Sequence, residues 1–183
     1  MKVLEEEIRI SSLQSRLKEL TVLNKAMTAI GMDMEPEKAL DTILRSALEL
    51  FSADRGSIML IDEARQKLII AAAIGIKPEY IARGGPKIGE GIAGHVVQTG
   101  EALLLSPNKF KKEEYKNFET KDVELHSSIC APLRSGRKII GVMNYSITSS
   151  KGRVFTEYDL KLLTIFSQYA SLVINAAEAA SLK

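Results

Sequence analysis

Apolar residues recur with a helical spacing at the start of the chain. Two interleaved series, each with a period of seven, occupy these positions: Ile10, Leu17 and Asn24, and Leu13, Leu20 and Met27. This heptad pattern predicts a signalling and dimerisation helix over residues 1–31, because an Asn at a core-type heptad position is typical of parallel two-stranded coils. The alternative is a single amphipathic helix that packs on its own domain.

The next segment changes from a helical to a strand-like pattern. An apolar helical stripe runs from Ala39 to Phe51, and Pro36 suits its first turn. Residues 57–61 and 68–74 then form two apolar runs around a polar turn, which predicts an antiparallel hairpin. Because both runs are apolar on both faces, we expect the sheet to be covered on both sides.

The second half of the chain predicts a short helix, three strands and a long helix. The short helix spans residues 91–99 and stops at Gly100, and the strands span residues 102–105, 128–133 and 138–147. Residues 106–124 are charged and carry aromatic side chains, which indicates a partly helical lid. Thr156 and Asp159 have the spacing of a capping box at the start of the last helix. That helix has an apolar arc wide enough for two contacts, one with the sheet and one with a second subunit.

Composition narrows the functional classes. The chain has 183 residues, 25 basic and 23 acidic, and a net charge of +2, which argues against a nucleic-acid surface. One cysteine makes an intrachain disulfide impossible, and with two histidines it does not fill a structural zinc site. No signal peptide and no run of about 20 apolar residues is evident, so we expect a soluble cytoplasmic domain without a membrane partner.

Three features carry candidate chemistry. Residues 89–94 read G-x-G-x-x-G, but no buried strand directly precedes them, as a dinucleotide-binding site would require. We therefore favour a structural role, in which these glycines bend the chain into a helix. His95 is a candidate ligand contact or haem axial ligand. Cys130, flanked by apolar residues, is interpreted as an inert buried thiol. No acid–base dyad, triad or metal cluster is evident, so an enzyme is not expected.

The order of several short motifs resembles a GAF domain, a small-molecule-sensing relative of the PAS fold. The motifs are Ala-Asp-Arg-Gly-Ser-Ile-Met-Leu at 53–60, Gly-Glu-Gly-Ile-Ala-Gly-His-Val-Val-Gln-Thr-Gly at 89–100, Ser-Ile-Cys-Ala-Pro-Leu at 128–133, Ile-Gly-Val-Met-Asn at 140–144 and Phe-Thr-Glu-Tyr-Asp at 155–159. The resemblance covers residues 39–177. We therefore expect a GAF domain over residues 32–183, including the C-terminal helix.

The resemblance implies an α+β fold and a regulatory role. The fold has a central five- or six-stranded antiparallel sheet, terminal helices on one face, and cross-over helices and a lid above a pocket on the other. The function is that of a sensory domain that binds a small molecule and signals through its terminal helices as a homodimer, to an output domain, a partner kinase or a transcription factor. The family's cyclic-nucleotide signature is incomplete here, because Tyr145 and Leu160 stand in place of its Lys and Glu.

The resemblance, together with strand alternation, gives a predicted pocket lining. Its members are Ile92, His95, Tyr115, Ser128, Cys130 and Asn144. The ligand is unidentified and haem is not expected. Two alternatives stay open: a haem- or redox-sensing module that uses His95 or Cys130, and a dimerisation module whose pocket is filled by the domain's own side chains.

Overall fold

A computed structural model of the chain describes residues 35–110, 125–148 and 152–181, together with twelve separate positions between 6 and 28. The elements in the three continuous ranges are α1 (Pro36–Phe51), β1 (Arg55–Asp62), β2 (Lys67–Ile74), α2 (Pro78–Arg83), α3 (Gly91–Thr99), β3 (Leu103–Leu105), α4 (Pro107–Phe110), β4 (Leu125–Ser135), β5 (Lys138–Thr148) and α5 (Glu157–Ser181).

The five strands form one sheet in the order β2-β1-β5-β4-β3, and every neighbouring pair is antiparallel. Strand β5 therefore lies at the centre, between β1 and β4. This confirms the predicted α+β class and the five-stranded form of the sheet. It also removes the dinucleotide-binding interpretation of the glycine motif, which requires parallel strands in a βαβ unit.

Helices α1 and α5 cover one face of the sheet. Their apolar side chains and those of the strands beneath them form one continuous core. The ring of Phe51 lies at its centre, with ring centroids 5.4 Å from Tyr145, 6.2 Å from Phe155 and 6.0 Å from Phe166. Each pair meets edge to face, which is a favourable arrangement for aromatic quadrupoles.

Helix α3 covers the other face. Its buried side chains include Ile92, Val96 and Val97. The strand residues that form a second core with this helix are Met59, Leu68, Leu105, Cys130 and Val142. Two separate cores on opposite faces confirm the prediction that the sheet is covered on both sides.

Local signals fix the helix ends as expected. Pro36 occupies the first turn of α1. Gly100 ends α3 in the left-handed conformation, with φ 73°. At the start of α5, Asp159 accepts a hydrogen bond from the backbone N–H of Thr156 (2.8 Å), and the Thr156 hydroxyl accepts one from the N–H of Asp159 (3.3 Å). This reciprocal pair confirms the capping box.

The structure extends several of the predicted elements. Strand β1 begins two residues before the predicted run, and β4 covers Leu125–Ser135 where residues 128–133 are predicted. The extra residues are mainly polar, so hydrophobicity does not mark them, but pairing with β5 continues through them. Residues 75–88 contain the short helix α2. The predicted lid contains α4, while its residues 111–124, including Tyr115, lie outside the described residues.

The described positions between 6 and 28 are all helical. Four of the predicted heptad residues are exposed in the single chain: Ile10 (50%), Leu13 (56%), Leu17 (66%) and Leu20 (63%). Asn24 is also exposed, whereas Met27 lies outside the described residues. Val22, on the opposite side of the heptad, is buried and belongs to the core beneath α1 and α5.

Helix α5 is a long helix of 25 residues with a mainly apolar composition. By length and composition alone, its span Glu157–Ala180 is long and apolar enough to cross a membrane. The expectation from the sequence differs, because polar residues interrupt the apolar run of this helix before it reaches about 20 residues. In the structure Phe166, Ala170 and Val173 are buried against the sheet. Packing in the core therefore accounts for the composition of this helix.

Candidate functional site

The glycine motif forms the turn that leads into α3. Gly89 and Gly91 have φ angles of +87° and +61°, which residues with a Cβ rarely adopt. The Gly89 N–H donates to the carbonyl of Gly94 (2.9 Å), and a Cβ on Gly94 would collide with the Lys87 carbonyl oxygen. These glycines therefore serve close backbone packing, as the structural interpretation of the motif predicts.

The polar residues that were predicted to line the pocket share one sheet face. Cys130 is directly opposite Asn144, and Ser128 is opposite Ser146. Because opposite residues on paired strands project to the same side, all four lie on the face covered by α3. The Ser128 hydroxyl lies 3.2 Å from Asn144 Oδ1, 3.0 Å from the Tyr145 carbonyl oxygen and 3.2 Å from the Ser146 hydroxyl.

Sequence reasoning missed three residues of this face, because the pairing of β1 with β5 is not visible from the sequence. Ser57 is opposite Asn144 and Arg55 is opposite Ser146. Ser57 is fully buried, and its hydroxyl has no hydrogen-bond partner among the described residues. Together with Ser146, these residues extend the polar patch from β4 across β5 to β1. The signal that could have found Ser146 is alternation, since it lies two residues after Asn144.

We call this group of side chains the polar floor. Its members are Arg55, Ser57, Ser128, Asn144 and Ser146. Along the same strands the floor continues into the apolar side chains of Met59 and Val142, which are paired with each other beneath α3. The face therefore changes from hydrogen-bonding groups at one end to hydrocarbon at the other.

Two predicted lining residues belong to α3 and one lies elsewhere. Ile92 is buried in the core between α3 and the sheet. His95 is half-buried on the same helix and is not part of that core, and its carbonyl accepts a hydrogen bond from the Thr99 hydroxyl. Tyr115 is outside the described residues. Of the predicted lining, the structure therefore brings Ser128, Cys130 and Asn144 together on one face and places Ile92 above that face.

Cys130 is fully buried, with a free thiol. Burial raises the pKa of this thiol well above its ordinary value of 9.0, because desolvation disfavours the thiolate. A protonated, enclosed thiol is a poor nucleophile and a poor redox sensor. The structure thus supports the interpretation of Cys130 as a packing residue.

The residues of the incomplete cyclic-nucleotide signature have structural roles. Tyr145 is fully buried on the face opposite the polar floor, and its hydroxyl donates to the Leu44 carbonyl of α1 (3.0 Å). Burial also raises the pKa of Tyr145. Asp159 caps α5 and accepts a hydrogen bond from the Arg153 guanidinium at 2.8 Å. Tyr145 follows Asn144 on β5 but projects to the opposite face of the sheet, and Asp159 lies at the start of α5.

Arg134 joins the two layers of helices at the end of the β4–β5 hairpin. The pairing shifts between Leu133 and Arg134, which is a β-bulge, and there the Arg134 N–H donates to the Ser171 hydroxyl of α5 (3.0 Å). Its guanidinium donates to the Gly100 carbonyl at the end of α3 (2.6 Å). One residue therefore contacts both the helix on the polar floor's side of the sheet and the C-terminal helix.

Comparisons with known proteins agree with this architecture. The sequence model of the GAF domain matches residues 33–175. The GAF domain of a phosphoenolpyruvate-protein phosphotransferase from Acinetobacter superimposes with a TM-score of 0.74 at 24% identity, over 87% of this chain and 94% of that one. At this identity the superposition shows the fold alone.

Sequence relatives include a nitrogen fixation protein and a cyclic-nucleotide phosphodiesterase. The nitrogen fixation protein AnfA of Azotobacter vinelandii is 24% identical over 160 residues, which is 84% of this chain and 29% of AnfA. The dual 3',5'-cyclic-AMP and -GMP phosphodiesterase 11 of Drosophila melanogaster is 24% identical over 180 residues, 89% of this chain and 12% of that enzyme. The chain thus spans less than a third of the length of either relative.

Proposed function

Because the chain belongs to the GAF family, whose members include sensory modules of regulators and signalling enzymes, we propose that it is a non-catalytic sensor. In this proposal a small molecule binds between α3 and the polar floor. Binding changes the packing of the terminal helices, and a dimer carries that change to an output domain or partner in the cytoplasm. The following structural features support it.

The observation that carries the proposal is the buried hydroxyl of Ser57. An unpaired buried hydroxyl costs roughly 1–3 kcal/mol, so native structures rarely keep one without a role. Here it lies beside Asn144, on the sheet face that continues into the apolar core under α3. A small ligand that accepts a hydrogen bond from the Ser57 hydroxyl and packs on Met59 and Val142 would offset this free-energy cost.

The contacts of Arg134 supply a route from the ligand to the C-terminal helix. A ligand that moves α3 also moves the Gly100 carbonyl, and the guanidinium bond transmits that displacement to the bulge held by Ser171. Signalling requires that the ligand bind one helix arrangement more tightly than the other. Arg134 makes these two arrangements physically distinct, because its backbone N–H is bonded to Ser171 and its guanidinium to Gly100, and both bonds cannot be kept when α3 shifts away from α5.

The N-terminal helix supports a homodimer. Val22 contacts the domain, while the heptad residues Leu13, Leu17 and Leu20 are exposed. A helix that used its apolar stripe to pack on its own domain would show the opposite arrangement. A second copy of the chain, paired in parallel with Asn24 at the interface, would bury this stripe. Exposed Leu172 and Tyr158 of α5 offer a second apolar surface to the same partner.

Native mass spectrometry of the full chain, purified from its own host, tests the proposal. The expected spectrum shows a dimer that carries an additional small mass, and the mass disappears in the Asn144→Asp variant. A dimer without any additional mass, even in freshly isolated protein, would favour the ligand-free dimerisation module. A monomer at micromolar concentration would contradict the dimer.

A matched pair of arginine variants tests the signal route. Arg134→Gln removes the bond to Gly100, whereas Arg137→Gln changes an exposed arginine in the adjacent turn. With the co-purified molecule added, we expect amide hydrogen exchange across residues 167–175 to slow in the wild type and in Arg137→Gln, but not in Arg134→Gln. Equal slowing in all three proteins would contradict a route through Arg134.

A further inference from the structure

The polar floor carries a surplus of hydrogen-bond donors at one end. The Ser57 hydroxyl has no partner, and the one hydrogen bond of the Asn144 side chain uses its Oδ1, which leaves both Nδ2 hydrogens free. Arg55 forms no ion pair or side-chain hydrogen bond with the described residues. Three neighbouring side chains therefore offer donors that the described part of the chain does not use.

These donors lie close enough to converge on one chemical group. Ser57 and Asn144 are opposite each other in the ladder, as are Arg55 and Ser146. Opposite Cα atoms are about 5 Å apart and alternate residues of a strand about 7 Å apart, so the four positions enclose a patch of about 5 by 7 Å. That is the scale of a carboxylate or phosphoryl group held by several donors.

The charge of the patch also selects the ligand. Arg55 is half-buried, and no Asp or Glu occupies a described strand position on this face of the sheet. The carboxylate of the preceding residue, Asp54, accepts hydrogen bonds from the N–H and the hydroxyl of Thr148, and Arg55 forms no ion pair with the described residues. An arginine in this state beside neutral donors is arranged for an oxyanion, since its planar fork binds two oxygens at once. The other ladder direction leads to Met59 and Val142, which suit a short carbon chain.

We propose that Arg55, Ser57 and Asn144 bind the oxyanion head group of a small organic acid, whose carbon body packs on the apolar end of the same face. This inference rests on the proposed sensory function and names its ligand class. A carboxylate and a phosphoryl group would both satisfy the donors, and only their shape distinguishes them at this patch.

Acetate, methylphosphonate and acetamide test the head group without knowledge of the natural ligand. Each is titrated into the full ¹⁵N-labelled chain at constant ionic strength, and the side-chain signals of Asn144 and Arg55 are followed by NMR. We expect saturable shifts with acetate or methylphosphonate and none with acetamide. Saturation by acetate alone assigns a carboxylate, and saturation by methylphosphonate alone assigns a phosphoryl group.

Variants separate this site from general anion binding. Arg55→Gln should lower the affinity for the anion by about tenfold or more, because the charged partner is lost. Ser57→Ala should weaken it by a smaller factor without loss of thermal stability, since the hydroxyl it removes has no partner in the fold. Arg137→Gln, at an exposed turn, is the matched control and should bind like the wild type.

Three results would overturn the oxyanion site: no saturable shift with either anion, equal shifts with acetamide, or equal binding by wild type and Arg55→Gln. The sensory function fails separately, by the mass-spectrometric test above. If a neutral molecule co-purifies and Asn144→Asp abolishes its binding, the sensor proposal stands while the oxyanion proposal is wrong.

Discussion

Replacing Phe51 tests whether the aromatic cluster holds the terminal helices on the sheet. Phe51 is fully buried at the end of α1 and contacts Tyr145 of β5 and Phe166 of α5 through its ring edges and faces. Truncation of a buried Phe to Ala costs about 3–5 kcal/mol, which combines lost transfer free energy with the cavity that remains. The three aromatic contacts place Phe51 toward the upper part of that range.

We therefore expect Phe51→Ala to lower the free energy of unfolding by about 4 kcal/mol, which for a chain of this size corresponds to a fall in Tm of about 8–16 °C. Urea denaturation at fixed protein concentration measures it, because a dimer would make the stability concentration-dependent. Phe51→Leu should lose less than half as much. Ile69→Ala, at an exposed strand position (41%), is the control and should lose less than about 1 kcal/mol.

A loss below about 2 kcal/mol in Phe51→Ala, with an unchanged m-value, would refute the reasoning, because it would mean that the ring is not enclosed by both helices and the sheet. A double-mutant cycle with Phe166→Leu sharpens the test. Direct edge-to-face contact predicts a coupling energy of about 0.5–1.5 kcal/mol between the two positions. Additive losses would place the two rings out of contact.

Four further predictions concern single residues. Cys130 should resist alkylation at pH 8 in the native protein and react once the chain is unfolded in urea, and native reactivity equal to that of a free thiol would contradict its burial. The folded state raises the pKa of the Cys130 thiol above 9.0, so unfolded chains lose this proton first as the pH rises. The free energy of unfolding should therefore fall above pH 9, by up to about 1.4 kcal/mol per pH unit from this group. The Cys130→Ala variant should show a smaller slope. Gly94→Ala should destabilise the turn before α3 and lower Tm by several degrees, since its Cβ meets the Lys87 carbonyl. Gly136→Ala is the control and should lower Tm less, because open space surrounds its Cβ and only its positive φ opposes the substitution. Tyr145→Phe should lower the free energy of unfolding by about 1 kcal/mol through the lost bond to Leu44, and no change in a urea titration would contradict that bond.

The sequence contained enough local information to predict the elements of the fold. Helical and strand periodicities, the capping box of Thr156 and Asp159, and the Gly100 helix end depend on neighbours within a few residues. The antiparallel sheet with terminal helices on one face followed from the family resemblance, and the cover on both faces followed from the apolar strand runs. The order of the strands was not predicted. The predicted β4 is shorter than the observed strand, because the residues that extend it are polar. Pairing with β5 holds these residues, and local hydrophobicity does not report that pairing.

The candidate site was predictable only along single strands. Alternation placed Ser128 with Cys130 on β4, but the position of Asn144 beside them depends on the register of β4 with β5. Ser57 and Arg55 enter the site through the pairing of β1 with β5, which brings together residues nearly 90 positions apart. No local pattern encodes that register, and so sequence reasoning missed Ser57 and Arg55, whose unused donors lie beside the predicted residue Asn144.

Strand β5 connects the two faces of the domain at adjacent residues. Asn144 belongs to the polar floor, and Tyr145, the next residue, projects to the other face and donates to the Leu44 carbonyl of α1. A ligand that pulls on Asn144 therefore acts on the same backbone segment that holds Tyr145 against α1. Arg134 provides a second connection, through Gly100 and Ser171, to α5. Because one connection reaches α1 and the other reaches α5, the ligand that we propose at the floor would change the relative position of both helices, which is the change that the proposed dimer would transmit.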